Sequence, residues 1–181
     1  MKSMRIIIII GLAILTGMVI IFTDIREDLS EIKEQQDSSE VLSEVINIDE
    51  LDITRGQILY VPAYSNIYTM EGRGYIDMAV TLSIRNTDPG QKIIISYIDL
   101  YDTGGKLEKH FIENPVSIPP MGTIDYKIIQ SDPSGGVGAN FMIEWVSDVD
   151  VSEPVVEAIM MGIWGNQGFA WRSPGRIVQQ K

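Results

Sequence analysis

The chain has no cysteine among its 181 residues. That excludes a disulfide, a zinc-thiolate site, a thiol nucleophile and an acyl-cysteine lipid anchor. It fits either redox compartment, so it does not place the protein. Only one histidine is present, His110. A histidine-rich metal site is therefore excluded, and a single residue is left for histidine acid–base work. Positive charge is also scarce: 14 Lys and Arg stand against 25 Asp and Glu, a net charge of -11. An acidic chain without a basic stripe is a poor nucleic-acid binder, because phosphate neutralisation supplies most non-specific affinity.

What is present is unevenly arranged. Residues 1–23 carry only Lys2 and Arg5 as bases, followed by a run without charge from Ile6 to Phe22. As a helix this run spans roughly 25 Å, near the lower limit for crossing a membrane. A cleaved signal peptide is the competing reading, but "FTDIRE" after the run offers no small-x-small cleavage site. A soluble core helix fits least, because five consecutive isoleucines leave no polar face for water. The expectation is an uncleaved single-pass anchor over residues 6–22. The basic start keeps the amino terminus in the cytoplasm and sends the rest outside, to the periplasmic or extracellular side.

Residues 24–55 carry eleven acids and three bases. Ile25, Leu29 and Ile32 follow helical spacing. The seam is too short for a coiled coil. This segment reads as a solvated, partly helical stalk, whose charge would repel an anionic leaflet.

From about Gln57 the period changes to two. In "YIDMAVTLSIRN", Ile76, Met78, Val80, Leu82 and Ile84 share one face, while Asp77, Thr81, Ser83 and Arg85 share the other. That alternation predicts a half-buried strand. "QILYVPA", "KIIISYIDLYD", "LEKHFI", "TIDYKIIQ", "NFMIEWVS", "VVEAIMMGIWG" and "GFAWRS" read likewise, with turns at "NTDPGQ", "TGGK", "SDPSGGVG", "SDVDVSEP" and "GNQG". "NPVSIPPMG" is too proline-rich for a central strand and reads as a crossing between sheets. The expected fold of residues 56–181 is all-β: an immunoglobulin-like antiparallel β-sandwich of about eight strands. A barrel of the same strands is the alternative.

Candidate sites are few. "GGVGAN" has three glycines, Gly135, Gly136 and Gly138, but lacks the lysine and the spacing of a phosphate loop. It runs into a strand, which has no bundle of free N–H groups at its start. The reading is a flexible corner with no nucleotide. Asp148, Asp150 and Glu153 lack the calcium-loop pattern and read as a solvated turn, so no metal is expected. Asp99 and Asp102 fall on opposite faces of a strand. His110 lies near Glu108 and Glu113 with no nucleophile elbow, which reads as edge-strand surface. No catalytic residue and no cofactor site emerge. Tyr60, Tyr97, Tyr101, Trp145, Trp164 and Trp171 fit a core, whereas Tyr64 and Tyr68 fall in an apparent loop, where aromatics serve binding. They mark the expected binding surface for a protein or glycan partner.

"ILYVPAYSNIY", "MAVTLSIRNTD", "YIDLYDTGGKL" and "MGIWGNQGFAWRSPGRIV" together resemble a bacterial family known as domain of unknown function 3124, over roughly residues 58–178. The resemblance implies an extracytoplasmic bacterial protein. It implies no activity and transfers no catalytic residue. The expected function is therefore an anchored binding or interaction module rather than an enzyme. A cell-envelope hydrolase with an unseen carboxylate pair and a structural envelope component are the alternatives.

Overall fold

The computed structural model describes residues 46–132 and 134–181. The expected anchor, residues 1–23, and residues 24–45 of the expected stalk (24–55) lie outside them. Among the described residues no helix is long and apolar enough to cross a membrane.

The described chain is all-β. Its strands are β1 (Arg55–Pro62), β2 (Asn66–Tyr68), β3 (Tyr75–Asp77), β4 (Ala79–Arg85), β5 (Ile93–Tyr101), β6 (Leu107–His110), β7 (Val116–Ile118), β8 (Thr123–Ile128), β9 (Asn140–Ser147), β10 (Val155–Trp164), β11 (Gln167–Pro174) and β12 (Arg176–Gln180). Two short 3-10 turns, Ile48–Glu50 and Gly136–Gly138, are the only helical elements among the described residues.

The described residues form twelve strands where about eight were expected, and the difference has local causes. The run from Tyr75 breaks at Met78, whose N–H donates to the Ser65 carbonyl at 2.8 Å rather than to the next strand. That break frees β3 to pair with β2 in a separate two-stranded arm. β7 is a three-residue piece inside the proline-rich crossing. β12, "RIVQQ", lacks alternation and is exposed throughout, so period two has nothing to register there.

Two larger antiparallel sheets carry the fold. One runs β12-β1-β9-β5-β6, with β7 also paired to β5; the other runs β11-β10-β4-β8. One apolar cluster draws on both. It takes Leu59, Val61, Ile95, Ile98, Phe141, Ile143 and Trp145 from the first, and Val80, Leu82, Ile84, Val156, Ala158 and Met160 from the second. Burying each Val, Leu, Ile, Phe or Met side chain of this cluster stabilises the fold by roughly 1.5–3 kcal/mol before the entropy of ordering is charged against it.

The crossing at "NPVSIPPMG" joins the sheets as its prolines require, since β7 pairs in the first sheet and β8 in the second. The buried side chain of Asn86 holds it. Its amide donates to the carbonyls of Gln91 at 2.7 Å, Pro119 at 3.0 Å and Ile118 at 3.2 Å. A second change of sheet occurs at Gly175, where β11 ends and β12 turns away to pair with Gln57–Tyr60 of β1.

Candidate functional site

The structure separates the two tyrosines of the expected binding surface. Tyr64 follows β1 and packs against the core, with its ring edge-on to Trp171 at 6.3 Å between centroids. Tyr68 lies on β2 rather than in a loop, is 57% exposed, and meets the ring of Tyr75 on β3 at 5.0 Å. A hydrogen bond that the Tyr75 hydroxyl donates to the Tyr68 phenol raises the Tyr75 pKa above the ordinary tyrosine value, and the charge of Tyr68 raises it further. Tyr75 gave no sequence signal of its own, because it opens a run that reads as one half-buried strand.

A larger exposed feature stands on β10. Alternation sends Val156, Ala158 and Met160 into the core and leaves Ile159, Met161 and Ile163 on the outer face. Met161 is 59% exposed and Ile163 60%. Beside them lies an open cleft of about 360 Å³ lined chiefly by Ala79, Gln130, Met161, Ile163, Phe169 and Ala170, with no charged side chain in its wall. Gly162 allows the close packing beneath it: a Cβ there would meet Met78 Sδ at 2.7 Å and Phe169 Cζ at 2.8 Å. Phe169 is stacked on Trp171 at 5.6 Å and 7°. Trp164, 53% exposed, closes the strand at the hairpin turn. Contiguous apolar surface of this kind marks an interaction site more often than scattered exposed residues do. The sequence did contain it. The stretch "VVEAIMMGIWG" is apolar on both faces, but only the fold says which face stays uncovered.

The glycine-rich stretch is a tied corner rather than a loose one. Gly135 and Gly136 have φ of 88° and 70°, a region costly to other residues. The Thr103 N–H and hydroxyl both donate to the Gly135 carbonyl at 2.9 Å, and the Gly138 N–H donates to the Thr103 hydroxyl at 2.9 Å. The Ser65 N–H donates to the Gly136 carbonyl at 3.1 Å. The stretch leads into β9, so no helix N-terminus follows it. Asp102 and Glu108 flank a shallow hollow at this corner. Both engage Lys106: its backbone N–H donates to Asp102 at 2.8 Å, and its ammonium pairs with Glu108 at 3.0 Å.

Of the other candidate acids, Asp99, Asp150 and Glu153 have side-chain partners. Asp150 and Glu153 lie 3.0 and 3.6 Å from the Arg55 guanidinium. The Asp148 backbone carbonyl accepts the Thr54 hydroxyl at 2.8 Å. Asp99 faces His110 Nδ1 at 2.7 Å across β5 and β6, a pairing that needs the sheet register and so was invisible in sequence. Glu113 lies exposed between β6 and β7. Among the described residues, no group of three or more His, Asp or Glu is placed to hold a metal ion.

Among known proteins, no curated relative matches this sequence. A solved structure of Thermotoga maritima 1070 is similar at 16% identity, over 66% of this chain and 92% of that one, with a TM-score of 0.41. The family model described as "Protein of unknown function (DUF3124)" matches residues 56–178, from the second residue of β1 into β12, and the chain belongs to that family.

Proposed function

We propose that this chain is a single-pass membrane protein. Its immunoglobulin-like β-sandwich, residues 56–181, is displayed outside the cytoplasmic membrane. There it binds a partner protein through the outer face of β10 and β11. Two antiparallel sheets sharing one core, with the chain crossing between them after β7 and after β11, support the sandwich. The uncharged run Ile6–Phe22 behind Lys2 and Arg5 supports the anchor.

The observation that carries the binding reading is the exposure of Met161 and Ile163 beside an uncharged cleft. Methionine is suited to such a surface, because its flexible thioether adapts to irregular partners. The fitting occupant is an aliphatic or aromatic side chain from a partner protein. A glycan would find little but the Gln130 amide to bond in the cleft wall. The hydrolase reading draws less support, since the two carboxylates beside the corner hollow are already engaged by Lys106.

The test uses the full chain in membranes. Protease added outside spheroplasts should digest residues 56–181 while the protein resists extraction with alkaline carbonate. A partner captured by the wild type should be lost from Met161→Lys and Ile163→Glu, both of which melt at the wild-type temperature. Capture that survives both substitutions contradicts the assignment of this face. A soluble mature protein beginning near Asp24 contradicts the anchor.

A further inference from the structure

Each sheet has edges, and edges with free N–H and C=O groups template further pairing unless they are blocked. β8 carries Asp125 and Lys127 along its edge, β6 carries Glu108, Lys109 and His110, β12 opens on Arg176, and the uncharged β2 and β7 are only three residues long. β11 differs. "QGFAW", residues 167–171, holds no charge, and among the described residues β11 pairs on one side only, with β10. Its one charged residue, Arg172, is held by Glu157 at 2.8 Å.

Hydrogen-bond parity says which groups of β11 are free. The register pairs Glu157 with Pro174, and the Gly175 N–H donates to the Val156 carbonyl at 2.8 Å. In an antiparallel ladder, bonded and non-bonded pairs alternate. Residues 167, 169, 171 and 173 therefore bond to β10, and the backbone groups of Gly168, Ala170, Arg172 and Pro174 point away from it. Pro174 has no N–H, so it stands where no inward bond is lost and where outward donors end. The outward donors from Gly168 to Arg172 are three, and Ala170 is their midpoint.

From this we propose that a second copy of this chain pairs with β11 antiparallel, about a two-fold axis at Ala170. Ala170 then faces Ala170 of the second copy, and Gly168 faces Arg172 in both directions. All three donors on each side are satisfied, giving six backbone hydrogen bonds. The small side chains at positions 168 and 170 leave the approach open, and each Arg172, already bonded to Glu157, faces a glycine rather than another charge. β12 does not run alongside, because the chain has turned to the other sheet at Gly175. The self-complementary patch gives an isologous dimer. This inference goes beyond the proposed function and rests on the backbone of β11, so it stands whether or not the β10 face has a ligand.

The chain has no cysteine, so one introduced thiol reports cleanly. Paired residues of the bonded type have Cα atoms about 5.5 Å apart, inside the disulfide range of roughly 4.4–6.8 Å. Full-length Ala170→Cys in oxidised membranes should run as a disulfide-linked dimer, and Met121→Cys, at an exposed turn elsewhere, should not. Two differently tagged full-length copies provide the second arm. Like charges directly opposite each other destabilise a strand pair, so Ala170→Lys with itself, and Ala170→Glu with itself, should co-purify roughly fivefold less than wild type. Ala170→Lys with Ala170→Glu should recover. Failure of wild-type copies to co-purify, equal cross-linking at positions 121 and 170, undiminished Lys–Lys pairing, or no recovery in the Lys–Glu mixture would each overturn the proposal.

Discussion

The indole Nε1–H of Trp145 donates to Gln57 Oε1 at 3.1 Å, inside the core. Gln57 is 2% exposed, and its own amide donates to Glu153 at 2.7 Å, which in turn lies against Arg55. The largest buried side chain is thus tied to the surface by polar groups from β1 and from the turn between β9 and β10. Trp145→Ala should destabilise by about 3–5 kcal/mol through the cavity it leaves. Gln57→Leu should cost about 1–3 kcal/mol by leaving the indole N–H unpaired. Denaturant unfolding of both variants reads the two values, and a neutral Gln57→Leu would contradict the bond's role.

Asn86 makes a comparable contribution at the other change of sheet. Asn86→Ala removes the donor shared by three carbonyls and should cost about 2–3 kcal/mol. The same unfolding measurement checks it. Asn86→Asp should not restore stability, because a carboxylate offers those carbonyls no N–H.

The two positive-φ glycines of the corner, Gly135 and Gly136, should rank clearly. A Cβ on Gly135 would meet the Ala139 Cβ at 2.5 Å, whereas one on Gly136 meets the Thr103 hydroxyl at 3.0 Å. Gly136→Ala should cost about 1–2 kcal/mol from its φ alone, and Gly135→Ala should cost more because Ala139 is in the way. Equal losses would contradict the packing argument.

Acid should weaken the fold in part through Asp88. Its carboxylate accepts the N–H groups of Ser152, Gly90 and Gln91 at 2.9 Å, and these bonds, that of Ser152 first, hold its pKa below the usual aspartate value. A depressed folded pKa contributes stability that is present above the unfolded value of about 3.9 and is lost as pH falls through the folded one. Asp88→Asn should therefore melt lower at neutral pH and flatten the decline below about pH 4. The alkaline side has the opposite sign. Burial, helped by Asp125, pushes the Tyr126 phenol up to about 12. Its contribution is intact below an unfolded value of about 10 and is lost as pH rises above it. Tyr126→Phe should remove that part of the alkaline decline in melting temperature.

Much of this architecture is legible in the sequence, for a physical reason. Val80, Leu82, Ile84, Phe141, Ile143 and Trp145 follow period two because one face of their strands is dry. Pattern fails where both faces are covered. Val146 is 1% exposed on what alternation calls the outer face of β9. Glu157, nominally outward on β10, is buried under Arg172 and Arg85. Pattern also fails where contacts are long-range. Asn86 looks like a turn residue, and only the crossing of Ile118 and Pro119 overhead gives its amide work. The candidate site was least legible. Tyr64 and Tyr68 stand four residues apart in sequence, yet one is a wall of the core and the other half of an exposed tyrosine pair.

The central claim is that the outer face of β10 meets a partner protein. A photo-cross-linking residue at Ile163 of the full-length chain in its native membrane tests it directly, with Ser152, exposed beyond the far end of the same strand, as the comparison position. The account predicts a defined adduct from Ile163, larger than the chain by a mass other than its own, absent from Ser152 and lost when Met161→Lys is added. No adduct, or the same adduct from both positions, would contradict it.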